Sequence, residues 1–146
     1  MLILNKEVFV NAPLNEVFDF VKQPANLPKI WPGLVEMKDE KLLPNGGYSF
    51  RWKYKMSGIH FKGTGECVDI VPNLWFTSKT QGAIESTHTW TFRAIDDKTR
   101  VTLTICYSIP YMLLRLLAEK TISKMNEKEA DLILDNLRKA FELTPI

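Results

Sequence analysis

His88 is the residue best placed to do chemistry in this chain. It lies in the run Ile84 to Ile95, where Ile84, Ser86, His88, Trp90 and Phe92 alternate with Glu85, Thr87, Thr89, Thr91 and Arg93. Read as a strand, the run puts the imidazole on one face with two large aromatic rings. Such a setting holds an imidazole neutral by desolvation, and a neutral imidazole can accept a proton. Tyr54 and Tyr107 fall on the inward side of their own alternating runs. Glu66 joins them if Val68 and Ile70 mark the buried side of its strand. His88 and Glu66 are then candidate acid–base groups for a carbon acid beside a carbonyl, the chemistry of an aldol cyclase, with Tyr54 or Tyr107 as oxyanion donors. The same groups equally suit a binding site in which they hydrogen-bond a ligand or one another.

Other chemistries find little support. His60 and His88 are the only histidines, with no Cys or carboxylate at ligand spacing beside them, so no metal is expected. No glycine-rich phosphate loop joins a strand to a helix, and no cofactor is expected. Net charge is +2, from 19 basic and 17 acidic residues mixed along the chain, which gives no reason to expect nucleic acid or an anionic membrane surface as a partner. Arg51, Lys53, Lys55 and Lys62 cluster near Trp52 and Tyr54, but alternation sends the bases and the rings to opposite sides of a strand. Cys67 and Cys106 form no C-x-x-C pair and read as reduced residues of a cytoplasmic protein. No apolar run is long enough for a signal peptide or a stable membrane insertion.

The elements that must carry these residues follow from patterning. Leu2 to Val10 reads as a strand, and Leu14, Val17, Phe18 and Val21 recur at the spacing of a short amphipathic helix opened by Pro13. Pro24 to Pro32 holds at most a second short helix. Six strands follow: Leu34 to Leu43, Tyr48 to Met56, Ile59 to Val71, Leu74 to Thr80, Ile84 to Ile95, and a last run with Val101, Leu103, Ile105, Tyr107 and Ile109 on its apolar face. Short turns such as Pro44-Asn45-Gly46-Gly47 join them into an antiparallel meander. Gly63 and Gly65 suggest a bend or bulge in a curled sheet.

Tyr111 to Leu143 contains no Gly or Pro and reads as one long helix, about 50 Å if unbroken. Its second half has a charged face with Lys120, Lys124, Glu127, Lys128 and Asp131. Opposite lie Ile122, Met125, Ala130, Ile133 and Leu137. Glu129 and Asn136 sit inside this apolar stripe and Asn126 at its margin. They either reach water at the helix rim or face a cavity with a few polar groups. The whole, residues 1–146, is expected to be one α+β domain: a seven-stranded curved antiparallel sheet wrapped around a long C-terminal helix, with two short helices after the first strand.

Three stretches carry a family resemblance. Val8-Phe-Val-Asn-Ala-Pro-Leu-Asn-Glu-Val-Phe-Asp-Phe-Val resembles the first strand and helix of the START-like (SRPBCC) superfamily with the helix-grip fold, in its polyketide cyclase/dehydratase-like branch. Thr99-Arg-Val-Thr-Leu-Thr-Ile-Cys-Tyr-Ser-Ile-Pro is similar to that superfamily's last strand, and Leu134-Asp-Asn-Leu-Arg-Lys-Ala-Phe-Glu to its helix end. The resemblance spans the chain and implies a hydrophobic cavity between sheet and helix, for an aromatic polyketide or another lipid. It transfers no catalytic residue, since the matching motifs are structural.

The expected function is binding of a small hydrophobic molecule, lipid or polycyclic, between sheet and helix. Tyr48, Phe50, Trp52, Tyr54, His88, Trp90, Tyr107, Met125, Glu129, Ile133 and Asn136 are the candidate contacts. The alternatives are a cyclase or dehydratase using His88 and Glu66, and a protein-interaction or cofactor-delivery module that would use an apolar surface around Tyr111, Met112, Leu113 and Leu116. A monomer or a weak homodimer is expected.

Overall fold

The computed structural model describes residues 2–142. Strand β1 (Leu2–Val10) leads into helix α1 (Leu14–Lys22), a single 3₁₀ turn at Pro24–Asn26 and the one-turn helix α2 (Leu27–Ile30). Six strands follow in a meander: β2 (Leu34–Leu42), β3 (Tyr48–Met56), β4 (Ile59–Val71), β5 (Trp75–Gly82), β6 (Ser86–Ile95) and β7 (Lys98–Tyr107). The chain closes with α3 (Tyr111–Leu116) and α4 (Glu119–Ala140). All seven strands form one antiparallel sheet in the order β1-β7-β6-β5-β4-β3-β2, because β1 pairs with β7 along its whole length. The expected fold class is thus the observed one. Among the described residues no helix is long and apolar enough to cross a membrane.

Alternation in each strand decides which side chains the sheet turns toward the helices. On β3, Phe50, Trp52 and Met56 are buried while Arg51, Lys53 and Lys55 are exposed. On β7, Val101, Leu103, Ile105 and Tyr107 are buried. Thr99, fully buried at the strand's start, donates to the Ala12 carbonyl at 2.8 Å and ties β7 to the turn before α1. The helix α1 turns Val17, Phe18 and Val21 inward, with Phe18 edge-on to Phe76 and Phe92.

The buried side chains form two clusters. Phe18, Trp90, Phe92, Val101 and Leu103 pack with Ala130, Ile133, Leu134 and Leu137 of α4. Phe50, Trp52, Met56 and Phe61 pack with Leu113 of α3 and Ile122 at the start of α4. Each cluster is dense within itself, and the volume between them is what side chains leave unfilled.

The C-terminal segment differs from the single helix the sequence suggests. Leu117 and Ala118 are extended, with ψ of 148° and 146°, and separate α3 from α4 without Gly or Pro. Leu113 and Ile122 explain why. They are nine residues apart, so on an unbroken helix they would lie about 180° from one another, yet both are fully buried in the same cluster. Breaking the helix brings both to one side. The cost is that Tyr111, Met112, Leu114 and Leu116 of α3 remain exposed. At the other end α4 stops at Ala140, while Leu143, the expected terminus, lies outside the described residues.

The glycines of β4 also act otherwise than expected. The irregularity in the β4–β5 pairing falls between Cys67 and Asp69 and not at Gly63 or Gly65. Those two sit opposite Trp52 and Phe50 and make room for their rings. A Cβ on Gly63 would also collide with the Gln81 carbonyl oxygen of the neighbouring strand. Because that obstacle is backbone, Gly63→Ala is expected to destabilise the protein by about 2 kcal/mol, read as a lower denaturant midpoint at unchanged slope.

Candidate functional site

Between the two clusters lies a cavity of about 120 Å³ whose wall is overwhelmingly apolar. The sheet supplies Phe50, Trp52, Phe76, Trp90 and Ile105, and α4 supplies Ile122, Ala130 and Ile133 from successive turns. Leu113 of α3 and Trp31, in the loop after α2, also line the cavity. Three hydrogen-bonded groups of polar atoms interrupt this wall, beside the Ser78 hydroxyl of β5, which makes no hydrogen bond among the described residues.

The first is built around Glu129. Its carboxylate accepts from Trp31 Nε1 at 3.2 Å and from the Gly33 amide at 3.1 Å, and the Tyr54 hydroxyl donates to it as well. Burial raises the Tyr54 pKa above the usual phenol value, and the neighbouring carboxylate raises it further, so the phenol stays protonated and its hydrogen is committed. Gly33 is required by space: a Cβ there would strike the Tyr54 ring and crowd the Glu129 carboxylate.

The second joins α4 to β7, where Asn126 Nδ2 donates to the Tyr107 hydroxyl oxygen. That oxygen is thereby an acceptor, and its own hydrogen is left for something in the cavity. Burial raises the Tyr107 pKa, partly offset by the Asn126 bond, so this hydrogen too is retained at neutral pH.

The third is a relay on β5 and β6. Thr80 Oγ1 donates its single hydrogen to the Ile84 carbonyl at 3.2 Å, Ser86 then donates to Thr80, and His88 Nε2 lies 3.1 Å from Ser86 Oγ. With the Thr80 and Ser86 hydrogens spent, the network assigns the hydrogen of His88 to Nε2. Nδ1 makes no hydrogen bond among the described residues and keeps a free lone pair. The surface His88 retains faces the cavity, whose dry wall pushes the imidazole pKa down to about 4. The Trp31 ring covers it at 5.2 Å between centroids.

The sequence itself has a match: residues 1–142 fit the family model described as polyketide cyclase / dehydrase and lipid transport. The chain belongs to this family. No curated protein matches it. Among solved structures, a START superfamily protein from Mycobacterium smegmatis is 12% identical, with 95% of this chain and 96% of that one covered at a TM-score of 0.77. The Zhui aromatase/cyclase from Streptomyces sp. R1128 is 14% identical over 95% and 92%, with a TM-score of 0.76. A protein from Thermus thermophilus, TTHA0849, is 22% identical over 97% and 100%, with a TM-score of 0.64. At such identities these neighbours speak to the shared fold.

In this polyketide cyclase/dehydrase and lipid transport family member, the cavity gathers Phe50, Trp52, Tyr54, His88, Trp90, Tyr107, Glu129 and Ile133 from the residues expected to line it. Four expected residues lie elsewhere. Glu66 is exposed on the outer face, because inward positions on β4 are Phe61, Gly65 and Cys67 until the irregularity at Cys67–Asp69 changes the phase; Ile70 turns inward only beyond it. Tyr48 has the right phase but begins its strand, past the end of the cavity. Met125 sits about 60° round the helix from Ile122 and is exposed. Asn136 Nδ2 donates to the Ile30 carbonyl at 3.0 Å and secures the end of α2. Asn126, at the margin of the apolar stripe, does face the cavity, whereas Trp31, Thr80 and Ser86 are site residues that the sequence does not single out. Ser86 shared the face of His88 and was open to discovery by alternation, whereas Trp31 reaches Glu129 across 98 positions of chain and left no local signal.

Proposed function

We propose that this protein binds a small hydrophobic ligand, a lipid or polyketide-type ring, in the cavity between the sheet and α4. The observation that carries this reading is an apolar chamber in which the carboxylate, both hydroxyls of the relay and the Tyr54 hydrogen are already paired, while His88 Nδ1, the Tyr107 hydrogen and the Ser78 hydroxyl have no partner among the described residues and are left for a guest. A dry engineered cavity of about 150 Å³ takes a benzene, so about 120 Å³ suits one ring as the cavity stands. Leu113 is the lining residue expected to yield to a second ring, because it rides on a six-residue helix flanked by extended residues. Leu113→Ala is expected to admit two-ring ligands such as naphthalene at least tenfold more tightly than wild type. Its stability cost is about 2 kcal/mol, the low end for a buried Leu because one side already faces a void. Calorimetric titration and denaturation of both proteins measure the two effects.

Native mass spectrometry of the purified protein, followed by ligand titration of tryptophan fluorescence, tests the binding reading. Saturable binding of apolar single-ring compounds supports it; no binding across a broad panel removes it.

A second reading is supported by the free Nδ1 of His88. As general base it would take a proton from a carbon next to a ligand carbonyl. The Tyr107 hydroxyl would donate to the enolate oxygen, and the proton would go to a departing hydroxyl, which leaves as water. A pKa of about 4 makes this imidazole a weak base at neutral pH, which favours binding over turnover. His88→Gln should abolish any dehydration while leaving affinity within a few-fold; equal turnover in the variant would remove the enzyme reading.

A further inference from the structure

We propose that the cavity discriminates by charge, accepting uncharged phenol-like or hydroxylated rings and rejecting carboxylates, with His88 and Tyr107 sharing the ligand hydroxyl; this rests on reading the cavity as a ligand site.

The wall carries one fixed charge and it is negative. Among the described residues, no Lys or Arg lines the cavity, and Glu129 is the only carboxylate there. Its three donors, Trp31, Gly33 and Tyr54, are consumed in holding it, so none is free for a second anion. A ligand carboxylate would leave water, meet no counter-charge and face Glu129 across an apolar space, where like charges repel more strongly than in water.

A hydroxyl meets the opposite situation. In the β6–β7 pairing Ser86 lies opposite Tyr107 and His88 opposite Ile105, which makes His88 and Tyr107 diagonal neighbours on one face. Their Cβ atoms are then about 7 Å apart, a separation that aromatic side chains span, so the imidazole and the phenol border one stretch of the cavity wall. His88 Nδ1 accepts and the Tyr107 hydroxyl donates. A phenolic oxygen does both at once, and a carboxylate can use only the donor.

Toluene, phenol and benzoate share a ring and differ in one substituent, so they separate the cavity from its charge preference. Titrations of the full wild-type chain should show toluene binding, phenol binding about tenfold more tightly, and benzoate at least a hundredfold more weakly than toluene. His88→Phe should erase the advantage of phenol over toluene, and Glu129→Gln should recover about tenfold in benzoate affinity. If toluene binds and benzoate equals or exceeds it, charge discrimination is wrong while the ligand site stands. If none of the three binds, the ligand site itself is wrong. The wild-type series decides the matter even where a variant fails to fold.

Discussion

Between pH 7 and pH 4 the wild-type protein is expected to lose about 3 kcal/mol of stability that a His88→Leu variant keeps. The folded imidazole has its pKa pushed down to about 4 by the dry wall around it, whereas in the unfolded chain it titrates near 6.5. Below pH 6.5 the unfolded chain therefore takes up a proton that the folded one refuses. The unfolded state binds more protons in this window, so stability falls as pH falls and is fully present only above about 6.5. His60 is exposed and carboxylate titrations are common to both proteins, so the difference between the two stability curves isolates His88. Urea denaturation at half-unit intervals measures it. Parallel curves would mean that the imidazole is solvated, and the dry cavity would be lost with it.

Glu129→Leu should cost about 4 kcal/mol, the largest single effect expected outside the packed clusters. Removing the carboxylate strands the Trp31 indole, the Gly33 amide and the Tyr54 hydroxyl, and a stranded buried donor costs about 1–3 kcal/mol. Glu129→Gln keeps one acceptor oxygen and turns an amide donor toward one of the three, so about half the loss is expected. Tyr54→Phe removes a single bond and should cost about 1 kcal/mol. The three variants should fall in that order by denaturant midpoint. A Glu129→Leu protein as stable as wild type would show that the three donors find water, and that the cluster is not a wall of the cavity. Loss of Trp31's anchor should also free its ring from His88, which a change in Trp fluorescence would report.

Most of the architecture was legible because it is written in local pattern. The alternation on β3, β6 and β7, the turn at Pro44-Asn45-Gly46-Gly47 and the Pro13 start of α1 each depend on residues within a few positions of one another. What escaped depends on distance or on a count of one. A single extra residue between Cys67 and Asp69 lets Ile70 turn inward while Glu66 ahead of it stays outward, and nothing in the run Gly63 to Val71 marks where the phase changes. The break between α3 and α4 has no Gly or Pro to announce it; it follows from two leucine-sized demands on one cluster, made by Leu113 and Ile122. The polar residues in the α4 stripe were visible as anomalies, yet they divide by what reaches them: Glu129 and Asn126 face the cavity, and Asn136 fastens α2. That division is tertiary, since the partners Trp31 and Ile30 sit about a hundred residues upstream.

The most direct test of a ligand chamber between sheet and helix uses the four tryptophans as reporters. Trp31, Trp52 and Trp90 line the cavity and Trp75 does not, so their indole N–H signals in a ¹H–¹⁵N spectrum locate a bound ring without any mutation. During titration with toluene, the signals of Trp31, Trp52 and Trp90 should shift together and saturate while that of Trp75 stays in place. Saturable binding that moves Trp75 and leaves the other three unchanged, or no movement of any of the four, would contradict the chamber.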